Sequence, residues 1–208
     1  MKTELVFVID RSGSMSGIRG DMEGGFNEYI ENQKKLPGEC NVTLCQFDDH
    51  FDTVYYGPIA DMPRYRLEPR GSTALMDAMG RTMVAVGGRL AAMKEADRPE
   101  KVLIVVITDG HENSSREFGA SKIREMVKHQ TEKYSWDFVF LGANQDAVLS
   151  AAEYGIRGNT ATYKSTSSGT RGMLRTLDRS TGLYRSSGTN RSAPIITQDD
   201  VDDEGEDE

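Results

Sequence analysis

Leu5-Val6-Phe7-Val8-Ile9-Asp10-Arg11-Ser12-Gly13-Ser14 is the stretch on which the fold turns. Its apolar run, rich in β-branched residues, does not alternate with polar ones. That pattern predicts a strand covered on both faces, the habit of parallel sheets. The run stops at an aspartate, and the Ser-Gly-Ser that follows reads as a tight turn.

The same signature recurs along the chain. Val42-Thr43-Leu44-Cys45-Gln46-Phe47 is a second strand, Asp48-Asp49-His50 a turn, and Phe51-Asp52-Thr53-Val54-Tyr55-Tyr56 its hairpin partner. Val102 to Ile107 is an unbroken apolar run, and Phe138 to Leu141 is another, with Trp136 before it. Helical spacing lies between these runs. Met22, Phe26 and Ile30 recur four apart, although Gly24-Gly25 weakens that helix. Leu75, Met79, Met83, Val86 and Leu90 hold helical spacing for longer, Ile123, Met126 and Val127 mark a third helix, and Ala147 to Tyr154 a short fourth one ended by Gly155. Strand–helix alternation of this kind predicts right-handed crossovers and an α/β, Rossmann-like, doubly wound sheet with helices on both faces. A last helix over about 168–186 docks Met173, Leu174, Leu177, Leu183 and Tyr184 on the sheet, and the arginines of 171–191 read as its solvated face.

The chain has 208 residues, 37% of them hydrophobic, which suits one domain with a core of its own. Its net charge of −8 has a local origin, because eight acids fall in the last ten residues: Asp199, Asp200, Asp202, Asp203, Glu204, Glu206, Asp207 and Glu208. Without them 25 acids balance 25 bases. A near-neutral body argues against a nucleic-acid partner. From about Thr189 the charge density predicts a disordered acidic tail, so the expected division is a domain at 1–188 and a tail at 189–208. No apolar run is long enough to span a membrane, and the N-terminus lacks the pattern of a signal peptide. Cys40 and Cys45 are too far apart on an extended strand to pair. These features fit a reducing, cytoplasmic setting.

In open α/β sheets, ligands bind beyond the carboxyl ends of the strands. The informative residues are therefore Asp10, Ser12 and Ser14 after the first run, Thr108-Asp109-Gly110 after Val102–Ile107, and Gly71-Ser72-Thr73 before the long helix. They offer two carboxylates and several hydroxyls. Oxygen-only ligands point to a hard cation, Mg²⁺ or Mn²⁺, with positions left for water or for one carboxylate from outside. Asp77 reads as a structural carboxylate or one that supports a ligand, His111 and Glu112 as residues that either border the site or, the favoured reading, belong to a solvated loop, and His50 and His129 as surface residues.

Asp10-x-Ser12-x-Ser14, then Thr73, then Asp109 in Thr-Asp-Gly resembles the metal-ion-dependent adhesion site of von Willebrand factor type A domains. The resemblance extends through Gln46-Phe47-Asp48, Arg70 to Ala78, and Phe140-Leu141-Gly142-Ala143-Asn144. It covers residues 1 to 165, continues to about 188, and is closest to small stand-alone versions from bacteria and their phages. It implies a mostly parallel sheet of about six strands with one antiparallel edge strand. It also implies a metal held by Asp10, Ser12, Ser14, Thr73 and Asp109, and a partner protein whose Asp or Glu completes the metal's coordination. The function so implied is a non-enzymatic, metal-dependent protein-binding module, one form of which is an adaptor for an AAA-type ATPase. Two other classes stay open. A structural component of a larger particle, such as a phage virion, would make the protein virion-associated. A Mg²⁺-dependent phosphoryl-transfer enzyme would use the strand-end aspartate, but there is no P-loop, no second aspartate of the haloacid-dehalogenase kind and no placed general base.

Overall fold

The computed structural model describes residues 1–143, 145–188 and 193–203. Six strands form one sheet in the order β3-β2-β1-β4-β5-β6. They are β1 (Lys2–Asp10), β2 (Glu39–Phe47), β3 (Phe51–Pro58), β4 (Lys101–Thr108), β5 (Asp137–Gly142) and β6 (Thr160–Thr162). β3 runs antiparallel to β2 at one edge, and every other pairing is parallel. The doubly wound, mostly parallel sheet read from the sequence is therefore the one observed. β1 pairs with β2 on one side and β4 on the other. The strand order reverses there, which opens a crevice at the carboxyl ends of β1 and β4.

The unbroken apolar runs have a direct reason. Leu5, Phe7 and Ile9 of β1, with Leu103, Val105 and Ile107 of β4, face one core. That core is closed by α1 (Arg19–Lys34) and α5 (Ser167–Ser186). Val6 and Val8, with Ile104 and Val106, face a second core under α2 (Leu75–Ala92), α3 (Ala120–Tyr134) and α4 (Gln145–Glu153). Alternate side chains thus enter opposite cores, and each fully buried aliphatic or aromatic one contributes about 1.5–3 kcal/mol.

Gly24-Gly25 does not break α1, which continues unbroken through both. At Gly25 the chain gains from lacking a side chain: a Cβ there would stand 2.6 Å from Leu174 Cδ1 of α5. The glycine lets the two helices approach closely. α5 is held at its far end by Lys101, a buried lysine that donates to the carbonyls of Tyr184 (2.5 Å) and Ser187. A cation at a helix C-terminus satisfies the last carbonyls and favours the dipole. The arginines of α5 are not all solvated as expected. Arg185 is buried and donates to the Gln33 carbonyl at 2.6 Å, and Arg171 pairs with Asp21 at 3.0 Å. Cys40 and Cys45 are free and buried in β2.

The expectation of a disordered tail from residue 189 is corrected over 193–203. Ile195, Ile196 and Val201 are buried in the first core, and α6 (Gln198–Asp203) lies beside β6. The Gln198 amide bonds both backbone groups of Thr162, accepting from its N–H at 2.7 Å and donating to its carbonyl at 3.0 Å. It occupies the edge of β6 as a further strand would. Three apolar residues suffice to dock a segment whose charge alone suggests otherwise. Residues 189–192 and 204–208, and Asn144 of the Phe140–Asn144 motif, lie outside the described residues.

Candidate metal centre

The loop after β1 turns at once into a 3-10 helix, Gly13–Ile18, with Ser12 at its N-cap position. The Ser12 side chain does not cap that helix. Its hydroxyl lies 3.0 Å from that of Ser14 instead. Ser14 in turn donates to Asp109 Oδ1 at 2.6 Å, across the strand-order reversal from β1 to β4. Asp10, fully buried at the end of β1, accepts from the Ser12 amide and from the Thr108 hydroxyl, each at 2.6 Å.

Thr73 reaches the same place from the segment that leads into α2. Gly110 locates the convergence: a Cβ there would stand 3.0 Å from Thr73 Oγ1, 3.5 Å from Ser14 Oγ and 3.6 Å from Asp10 Oδ2. Hence all five residues singled out in the sequence, Asp10, Ser12, Ser14, Thr73 and Asp109, come together at the carboxyl ends of β1 and β4.

The electrostatics of this cluster are those of a site short of positive charge. Burial pushes Asp10 up to about 6, against the pull of the Thr108 and Ser12 hydrogen bonds. Burial also raises Asp109, against the bond from Ser14. Among the described residues, the main groups that lower the two carboxyls are hydrogen-bond donors and not cationic side chains. Tyr163, buried beside them with its hydroxyl 3.5 Å from the Thr108 carbonyl, is pushed well up by burial and by the charges of Asp109 and Asp10. Two carboxylates and three hydroxyls with no cation of their own are a fitting donor set for a hard divalent ion.

The segments around the cluster are tied down. Arg70 N–H donates to the Arg11 carbonyl at 2.8 Å, and Gly13 N–H to the Gly71 carbonyl at 3.2 Å. Gly71 has φ +66°, a conformation other residues rarely adopt, and a Cβ there would crowd Asp48 Cβ at 3.2 Å, so glycine is favoured. Asp48 anchors this side. Its Oδ2 accepts from Arg11 Nε at 3.0 Å and Arg70 Nε at 2.8 Å. Burial pushes the Asp48 carboxyl up, but the bonds from Arg70, the His50 amide and Arg11 outweigh it and hold it low. Asp48, Asp49 and His50 can bring one ligand atom each within 4.8 Å of one another. Asp48 is already committed to two arginines, however, and the exposed His50 side chain lies beside it as a surface residue.

Asp77 proves structural, as read: its carboxylate accepts from the amides of Arg116, Glu117 and Phe118, each at 2.9 Å. Glu112 was misread as a solvated loop residue. It accepts from the amides of Met76 (2.9 Å), Ser114 (2.9 Å) and Ser115 (2.8 Å). Asn113 was passed over in the sequence, and Thr108 and Glu112 were noticed without the hydrogen bonds that they make here. Their only signal was their place within and just after the Thr-Asp-Gly turn.

No protein-family model matches the chain, and no curated sequence matches it. Solved structures do. The von Willebrand factor type A protein from Catenulispora acidiphila superposes with a TM-score of 0.62 at 14% identity, over 87% of this chain and 43% of that one. The chain has the von Willebrand factor type A fold. A point mutant of the PilB minor pilin from Streptococcus sanguinis shares this vWA fold (TM-score 0.63, 12% identity, 90% of this chain and 64% of that one). So does the manganese-loaded TRAP protein of Plasmodium vivax (TM-score 0.52, 13% identity, 78% of this chain and 68% of that one). The chain spans less than two thirds of the first two structures. Among the described residues, no helix is long and apolar enough to cross a membrane.

Proposed function

We propose that Asp10, Ser12, Ser14, Thr73 and Asp109 hold one Mg²⁺ or Mn²⁺, and that the domain is a metal-dependent protein-binding module. The convergence of these five side chains at one rim of the sheet carries this reading. The three hydroxyls fill coordination positions without cancelling charge, and the carboxylates of Asp10 and Asp109 hold the ion in place. A cation held this way attracts an anionic group from outside. A partner's Asp or Glu supplies that group and completes the coordination. The vWA fold and the manganese in TRAP, a structural neighbour, support the same reading.

The test is capture of partner proteins on immobilised protein from the cells that make it, in Mg²⁺ and again with chelator. Proteins retained in Mg²⁺ and released by chelator are expected, with none retained by a Thr73→Ala variant. Retention that ignores both chelator and substitution places the interface elsewhere.

A further inference from the structure

Thr73 and Asp109 belong to different segments, yet the structure fastens those segments to each other. The Thr73 amide donates to Asn113 Oδ1 at 2.9 Å, and the Asn113 amide donates to the Thr73 carbonyl at 3.0 Å. Both backbone polar groups of Thr73 are thus held by one residue. Within the first turn of α2, the Met76 amide donates to Glu112 Oε2 at 2.9 Å, and the Asp77 amide to Ser115 Oγ at 3.0 Å. Ser115 Oγ passes its own hydrogen to Glu112 Oε2 at 2.7 Å. In return, the Asp77 carboxylate takes the amides of residues 116–118. The otherwise unpaired amides at the start of α2 are satisfied by the loop after β4, and that loop's amides by α2.

We propose that Asn113 is a positioning residue for Thr73, and that with Glu112 it joins the loop after β4 to the start of α2, so that Thr73 and Asp109 meet the cation as one pre-set unit. The proposal rests on the metal site proposed above. Burial does not account for Asn113, which is exposed, whereas Thr73 is buried. What the Asn113 side chain adds is a fixed backbone for Thr73. Residues that orient metal ligands in this way typically carry 10–100-fold of the metal affinity.

The test uses Asn113→Ala and Asn113→Asp. The alanine variant loses the acceptor for the Thr73 amide, while the aspartate variant keeps it. In metal-free protein, amide hydrogen exchange at Thr73 is expected to speed up about tenfold in Asn113→Ala, and Mg²⁺ affinity by calorimetry to fall about tenfold. Asn113→Asp is expected to restore both. If Asn113→Ala binds Mg²⁺ like the parent, or if Asn113→Asp fails to restore binding, the positioning role is wrong. If the parent binds no divalent cation, the metal reading itself fails. Thr73 exchange that is unchanged in Asn113→Ala overturns the brace whatever the metal does.

Discussion

The Thr108 hydroxyl donates to Asp10 Oδ2 across 2.6 Å, joining the last residue of β4 to the last residue of β1. Both residues are fully buried. The bond fixes one face of the Asp10 carboxylate and opposes the effect of burial on its charge. Thr108→Val keeps the shape and removes the donor. Its expected consequences are a roughly 10-fold loss of Mg²⁺ affinity and a loss of about 1–3 kcal/mol of stability from a buried carboxylate left short of a partner. Calorimetry and urea denaturation measure the two effects separately.

Gly110 offers a sharper probe of the site. A methyl group there would stand among Thr73 Oγ1, Ser14 Oγ and Asp10 Oδ2. Gly110→Ala is therefore expected to weaken divalent-ion binding more than it weakens the fold. A melting temperature near the parent's in chelator, with the Mg²⁺-induced rise gone, is the predicted result.

The site also predicts a pH dependence. In the metal-free fold, burial raises Asp10 from the ordinary carboxylate range to about 6. A folded-state value above the unfolded one means that the folded protein holds the extra proton between those values. For this group, stability in the absence of metal falls as pH rises from about 4 to 6. A cation requires the ionised form, so binding releases that proton and affinity grows as pH rises through about 6. The difference in melting temperature with and without Mg²⁺ is expected to be small at pH 5 and full by pH 7.5. An equal difference at both values contradicts the assignment.

Away from the site, the C-terminal segment is expected to matter for stability. Ile196 is fully buried in the first core. Ile196→Ala is expected to cost about 2–5 kcal/mol, which no disordered tail would show. Denaturant unfolding measures it, and a cost near zero would mean that residues 193–203 do not dock in solution.

The sequence made the centre of this molecule legible and its margins less so. The central strands were readable because β1, β4 and β5 are buried on both faces, which leaves unbroken apolar runs. β6 is three residues, Thr160–Thr162, and carries no such run. The fold of 193–203 was hidden because its apolar residues stand among carboxylates whose charge dominates the local pattern. In the site, Asp10, Ser12, Ser14, Thr73 and Asp109 were visible because each sits beside a strand end or a helix start that the pattern marks. Glu112 and Asn113 were not, because their roles depend on a loop meeting the start of a helix some 36–40 residues earlier in the chain. No local pattern encodes that meeting. Gly25 misled for a related reason: its cost to α1 is local, while its use is the approach of Leu174 from α5.

The most direct measurement is a calorimetric titration of metal-free protein with Mg²⁺ and Mn²⁺, run in parallel on the parent and on Asp109→Ala. One divalent ion per chain in the parent, no binding in the variant, and closely similar melting temperatures of the two in chelator are the predicted results. Absence of binding in the parent, or binding that survives in Asp109→Ala, contradicts the account.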